Sequence, residues 1–339
     1  MNKDQVNIGV IGAGMIGRVH SENLAFRIPQ ANLNVIADIN EQAARATAAR
    51  CRIPSTTKDY QEILGDPEID AVVICSSTDT HARIIAEAAQ AGKHIFCEKP
   101  IDFSLAKIDG ALAQVEKAGV KLQIGFNRRF DSNFARVRQA VASGEIGEPH
   151  LLHIVSRDPE PPTPEYVKTS GGIFMDMTIH DFDMASFLIG SEVEEVFVYG
   201  GVRIDPEIGK AGDLDTVLIL LKFADGTLGT IDNSEKAAYG YDQRVEVFGS
   251  KGAIQIGNNY PNSAVVSSGE SIYHDRPLYF FVERYVDSYI AEMRSFIEAV
   301  LEDRPTQVSG KDGRIPVVMA QAAHKSYAEH RPVRLSEIT

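Results

Sequence analysis

The chain has 339 residues, enough for two domains with a core each, and its apolar and charged fractions are those of an ordinary globular protein. A formal net charge of −13, with no basic stripe, excludes nucleic acid and anionic membrane surfaces as partners. No run approaches the roughly 18 apolar residues of a spanning helix, and Met1 leads into a strand without the basic and apolar segments of a signal peptide. Cys51, Cys75 and Cys97 lack C-x-x-C spacing, and two of them sit in apolar strand runs, so buried free thiols in a reducing cytoplasm are expected.

The first predicted strand, over 6–11, runs into Gly12-Ala13-Gly14-Met15-Ile16-Gly17, a G-x-G-x-x-G turn that opens a helix to about residue 27. Gly12 permits the tight turn, Gly14 lets a diphosphate approach the backbone, and Gly17 lets helix and strand pack closely. The helix opening at Met15 and Ile16 offers N–H groups and a positive dipole end to that diphosphate. A second strand over 33–37 ends in Asp38, 21 residues past the last glycine, where a carboxylate accepts from ribose hydroxyls and repels a 2′-phosphate. Ile39 puts an apolar residue where a basic one would favour NADP, so the expected cofactor is NAD.

The βα alternation continues with helices over 41–50 and 60–64 and an apolar strand over 71–75 of the kind a parallel sheet buries on both faces. Ser76-Ser77-Thr78 follows at the carboxyl edge, where doubly wound sheets bind ligands, with Asp79 as the expected cap of a helix to about 91. A strand over 94–97 leads to Glu98-Lys99-Pro100, a helix spans 104–118, and a strand over 121–125 completes an α/β domain, placed at 1–126. The remainder, 127–339, reads as an α+β domain with a mostly antiparallel sheet. Its strands fall over 151–157, 193–202, 215–223, 228–233, 244–248 and 253–256, with Asp225-Gly226 as a hairpin turn. Helices are expected over 131–142, 175–188, 283–301 and 315–330, and 158–164 reads as a rigid proline-rich loop.

Two stretches can carry chemistry. Lys99 follows a strand on the same edge as the glycine turn, within reach of the nicotinamide end of a dinucleotide, and Pro100 keeps it extended. On one continuous helix, Asp176, His180 and Asp183 would share a face at i, i+4 and i+7. A carboxylate one turn from an imidazole orients it and raises its basicity, which suits a general base. The same three residues also fit a solvated face, a helix cap at Asp176, or a divalent-ion site.

The glycine turn, Glu98-Lys99-Pro100, and Asp176-x-x-x-His180 followed by Asp183 together resemble the glucose–fructose oxidoreductase/inositol dehydrogenase (Gfo/Idh/MocA) family over the whole chain. The stretches Phe126 to Asp131, Ser170 to Asp183 and Tyr239 to Arg244 look most like its bacterial inositol 2-dehydrogenase branch. The resemblance implies oxidation of myo-inositol to scyllo-inosose with NAD and no metal. It implies a catalytic triad of Lys99, Asp176 and His180, with His180 as base, Lys99 bonding the reacting oxygen and Asp176 orienting His180. It further implies that Ser76, Thr78, His81, Glu98 and Lys99 join the glycine turn in binding cofactor. Asn127, Arg128, Arg157, Asp176, His180, Asp183 and Tyr241 would bind the polyol. Oxidation of scyllo-inositol, glucose or another cyclic polyol, and a non-enzymatic NAD-binding regulator, are the alternatives; the joint presence of Lys99, Asp176 and His180 argues against the regulator.

In the strand over 216–221, the five apolar residues from Val217 to Leu221 demand cover on both faces, where a half-wet antiparallel strand would alternate. A symmetry mate is the expected cover for one face, giving a homo-oligomer, a tetramer before a dimer. A loop over 257–277 folded across that face is the competing cover.

Overall fold

The computed structural model describes residues 4–338. The residues ahead of Asp4, on which the reading of the N-terminus partly rests, and Thr339 lie outside it. The chain divides into two compact units, the first comprising residues 1–130 and 287–315, the second 131–286 and 316–339. The expected single cut after residue 126 thus falls four residues early and misses a return of the chain to the first unit.

The first unit alternates strand and helix. In order it holds β1 (Val6–Ile11), α1 (Met15–Arg27), β2 (Ala31–Ala37), α2 (Glu41–Cys51), β3 (Ser55–Thr57) and α3 (Tyr60–Gly65). These are followed by β4 (Ala71–Ile74), α4 (Thr78–Gln90), β5 (His94–Glu98), α5 (Leu105–Ala118) and β6 (Leu122–Gly125). The six strands form one parallel sheet in the order β3-β2-β1-β4-β5-β6. This is the doubly wound arrangement whose direction reverses between β1 and β4, and whose carboxyl edge there is the ligand crevice. Ile8, Val10, Val73 and Phe96 are fully buried, which is why β1, β4 and β5 read as unbroken apolar runs. Polar side chains start the helices: Asn40, Asp59 and Ser104 accept from first-turn N–H groups of α2, α3 and α5. At α4 the expectation fails. The helix begins two residues earlier, Ser77 is its N-cap, and Asp79 sits inside the first turn. There its charge favours the positive helix end rather than closing a cap.

The second unit contains α6 (Ser132–Ala142), β7 (Pro149–Arg157), α7 (Pro164–Ser170), α8 (Gly172–Asp176), α9 (Thr178–Ile189), β8 (Val193–Gly201) and α10 (Pro206–Lys210). It continues with β9 (Thr216–Phe223), β10 (Leu228–Ser234), β11 (Asp242–Gly249), β12 (Gly252–Ile256) and the small hairpin β13 (Val265–Ser267) and β14 (Ile272–His274). It closes with α11 (Phe281–Arg284), the start of α12 (Val286–Leu301), most of α13 (Gly310–Glu329) and β15 (Val333–Arg334). Its seven-stranded sheet runs β12-β11-β7-β10-β9-β8-β15, antiparallel except for the parallel pair β7 and β10. Gly226, at φ 91°, makes the turn between β9 and β10. Along β9, Val217, Ile219 and Leu221 are buried while Leu218 and Leu220 remain 46% and 43% exposed. The 257–277 segment does not cover them, and β13 and β14 are themselves exposed.

The expected helix over 175–188 is two helices. Gly171 and Gly172, at φ 84° and 75°, end α7 and open α8. At the junction of α8 and α9 the bonding tightens, with His180 N–H donating to the Met177 carbonyl three residues back. Asp176 closes α8, and His180 and Asp183 belong to α9, so the i, i+4, i+7 face is not a face of one helix. Among the described residues no helix is long and apolar enough to cross a membrane.

Candidate active site

In the first unit, the glycine turn has the geometry a dinucleotide requires. Gly12 adopts φ 107°, and a Cβ there would strike the carbonyl of Cys75 on the neighbouring strand end. A Cβ on Gly17 would fall on the Gly12 carbonyl oxygen. A Cβ on Gly14 would meet nothing within 4 Å, which leaves the approach of a diphosphate open. Gly14 is itself the N-cap of α1 and supplies no side-chain cap to that first turn. These observations fit a bound dinucleotide. Met15 is exposed, Ile16 half-buried and Gly17 buried.

Asp38 lies just past β2, half-buried. Its Oδ2 accepts from Ala13 N–H at 2.6 Å and its Oδ1 from Asn40 N–H at 2.7 Å. A carboxylate has about four acceptor positions, so two bonds fix it beside the turn and leave lone pairs for a diol. Ile39 is 91% exposed.

On the same carboxyl edge, Ser76 Oγ bonds Thr80 Oγ1 at 2.7 Å, and Thr78 opens α4. His81 is buried, its Nδ1 2.8 Å from the Pro100 carbonyl and its Nε2 2.9 Å from that of Ser76. It therefore ties together the segments after β4 and β5. Glu98 ends β5 and Lys99 follows, joined to Pro100 by a cis peptide. Asn127 and Arg128 lie in a buried 3-10 turn after β6, with Asn127 Nδ2 donating to Ser288 Oγ at 3.3 Å. Cys51, Cys75 and Cys97 are buried and free; burial above all, and then the charge of Glu98, push the thiols of Cys75 and Cys97 well up.

In the second unit, α9 is buried over most of its surface, but His180 is half-exposed near its start, and Asp176 is half-exposed at the end of α8. Asp183 is fully buried. Asp176 Oδ1 accepts from Tyr166 OH at 3.2 Å. Although the Tyr166 ring is 49% exposed, the crowding around its hydroxyl first, then the Asp176 charge, push that hydroxyl above its ordinary value, so it stays a donor. Asn233 locks α9 to the sheet. It accepts from Thr178 Oγ1 at 2.7 Å and donates to Asp181 Oδ2 at 2.8 Å and to the Ser156 carbonyl. The Asp213 carboxylate receives Ile173 N–H at the start of α8. Glu235 is buried, and burial together with Asp213, Asp158, Asp176 and Asp215 raises its carboxyl to about 9.

Arg157 is committed within the protein: Nε and Nη2 fork onto Asp232, and Nη1 donates to Tyr239 OH at 3.2 Å. The Asp232 hydrogen bond pushes its guanidinium pKa further up. Tyr241 is buried with its ring edge-on to Tyr285 at 6.0 Å. The sequence reading missed Tyr166, Asn233, Asp213 and Glu235, each of which comes from a distant stretch. Among the described residues the only three-residue group close enough to share a metal is His20, Glu98 and Glu292, in the first unit, not the Asp176, His180 and Asp183 set.

Residues 6–126 match the oxidoreductase family with NAD-binding Rossmann fold, and residues 134–255 match the GFO/IDH/MocA C-terminal domain. The chain is 49% identical to the myo-inositol 2-dehydrogenase of Thermotoga maritima over 333 residues, covering 98% of this chain and 99% of that one. A crystal structure of a probable dehydrogenase from Thermotoga maritima superposes with a TM-score of 0.96 at 49% identity, over 98% of this chain and all of the other. The scyllo-inositol dehydrogenase of Lactobacillus casei, solved with NAD(H) and scyllo-inositol bound, gives 0.92 at 29% identity, over 98% and 99%. The chain belongs to the Gfo/Idh/MocA family of oxidoreductases.

Proposed function

We propose that this chain is an NAD-dependent inositol 2-dehydrogenase that oxidises myo-inositol to scyllo-inosose. The observation that carries the reading is that one chain holds both a glycine turn built for a dinucleotide and, in its second unit, a half-exposed His180 at the start of an otherwise buried helix. The near-full-length identity to a myo-inositol 2-dehydrogenase supports the substrate, and the Asp38 carboxylate beside the turn supports NAD over NADP. The three buried free thiols support a reducing cytoplasm.

The nicotinamide ring, when bound, supplies the hydride acceptor. A polyol hydroxyl is far too weak an acid to ionise in advance, so its proton must leave as the hydride leaves the carbon. His180 takes that proton on an imidazole nitrogen while the C–O bond becomes a carbonyl. Lys99 donates a hydrogen bond to the reacting oxygen, and Asp176, itself held by Tyr166, orients His180. Asn127, Arg128, Asp183 and Tyr241 would bind the polyol ring hydroxyls, and Arg157, already held by Asp232 and Tyr239, would join them only with the guanidinium hydrogens those bonds leave over. No step requires a metal. The exposed apolar face of the second unit's sheet supports a homo-oligomer, a tetramer before a dimer.

Absorbance of NADH on adding myo-inositol, scyllo-inositol or glucose tests the substrate, with myo-inositol expected to give the highest kcat/KM. The His180→Ala variant is expected to lose about 10²–10⁴ in kcat with NAD binding nearly intact. Wild-type turnover in that variant would remove His180 as base, and preference for another polyol would reassign the substrate.

A further inference from the structure

Beneath the carboxyl edge of the first unit's sheet, three ionisable side chains meet out of water: His20 from α1, Glu98 from the end of β5 and Glu292 from α12. His20 and Glu292 are fully buried and Glu98 nearly so. The His20 Nε2 lies 2.6 Å from Glu98 Oε1. An ion bound by both atoms at about 2.0–2.2 Å would hold them about 3 Å apart or more, so the contact is a hydrogen bond and not a shared metal. The carboxylate only accepts, so His20 Nε2 donates. Glu98 Oε2 is turned the other way and accepts from the backbone N–H of Lys99 at 3.3 Å. Gly125 on β6 makes room, since a Cβ there would stand 3.1 Å from the carboxylate.

The rest of the surroundings leave His20 little freedom. Its ring stands edge-on to Phe96 at 5.1 Å and to Tyr289 at 5.7 Å. Glu292 Oε1 is 4.0 Å from Nε2, and neither Glu292 oxygen has a hydrogen-bond partner among the described residues. Burial, and after it the charge of Glu98, push the Glu292 carboxyl well up, so it sits there as a neutral acid and does not compete for the imidazole N–H. The buried thiol of Cys75 lies near both glutamates, and burial first, then the charge of Glu98, push it well up.

We propose that His20 is a positioning residue for Lys99: anchored in the helix that opens the cofactor turn, it holds the Glu98 carboxylate, which holds the Lys99 backbone. The helix that receives the diphosphate and the lysine that receives the substrate oxygen are thereby tied by two consecutive hydrogen bonds. The proposal rests on the dehydrogenase reading above and adds to it a residue that touches neither cofactor nor substrate.

A double-mutant cycle tests it. His20→Phe is expected to lower kcat for myo-inositol oxidation by about tenfold or more while KM for NAD changes by less than about threefold. The His20→Gln variant, which keeps an N–H donor on a chain of similar reach, is expected to recover most of that loss. In a Lys99→Ala background, His20→Phe is expected to cost nothing further, because residues acting as one unit are not additive. Glu98→Gln, whose single amide oxygen cannot accept from both partners, is expected to give the same cycle and serves if His20→Phe does not fold. Losses that multiply in the Lys99→Ala background, or a fall in activity matched by loss of NAD affinity, would overturn the positioning role. Absence of turnover in the unmutated protein would overturn the dehydrogenase reading itself, a separate failure.

Discussion

Asp38 is proposed to serve fold and cofactor specificity together. Its bonds to Ala13 N–H and Asn40 N–H fix a negative charge at the cofactor turn. Replacing it by alanine with Ile39→Arg is expected to raise kcat/KM for NADP relative to NAD, since repulsion of a 2′-phosphate is removed and a cation supplied. An unchanged ratio of the two specificity constants would place Asp38 away from the ribose. Glu235 gives a residue-scale test in pH. Its folded value of about 9 lies above the unfolded carboxyl range, so the folded state binds its proton more tightly. The cost of burying it is absent below about pH 4 and grows as pH rises toward 9. Glu235→Gln is therefore expected to gain thermal stability over wild type steadily between pH 5 and 9; a constant Tm difference across that range would show that Glu235 ionises freely. The residues legible from sequence were those whose meaning is local. Gly12, Gly14, Gly17 and Asp38 fall within one βαβ unit, and Lys99 follows its strand directly. His20, Tyr166, Asn233 and Glu235 act through partners far along the chain, and no spacing announces such partners.

At the scale of elements, the strands that were expected fall within a residue or two of those observed, because burial on one or both faces writes a clear pattern, whereas the short β3, β13, β14 and β15 were not expected at all. The division of the helix around His180 was not expected either, because both halves are apolar and only the tightened bonding at Met177 separates them. Strand β9 carries the strongest element-level consequence. Leu218 and Leu220 are exposed, Tyr199 lies opposite Leu218 on β8, and Leu228, Leu151 and Phe248 stand in register across β10, β7 and β11. Such a contiguous apolar face marks an interaction surface, and a self-complementary pairing is the simplest occupant. Light scattering at micromolar concentration is expected to give a multiple of the 37.1 kDa chain mass. The Leu218→Lys, Leu220→Glu variant is expected to shift that mass downward. A monomeric wild type would refute the shared face.

The whole molecule was legible as α/β followed by α+β, since the period of the apolar pattern changes where the first sheet ends. Its discontinuous division was not, because the return segment 287–315 is helical and apolar on one side like any other. Phe296 and Ile297 of that segment join the core of the first unit, a placement set by packing and not by spacing. The reaction proposed for the whole chain is transfer of a hydride from an inositol carbon to NAD. Incubation with NAD and myo-inositol deuterated at C2 measures that transfer directly. One deuterium is expected in the NADH formed and none from substrate labelled at another carbon; NADH without label, or no NADH at all, would refute hydride transfer from C2.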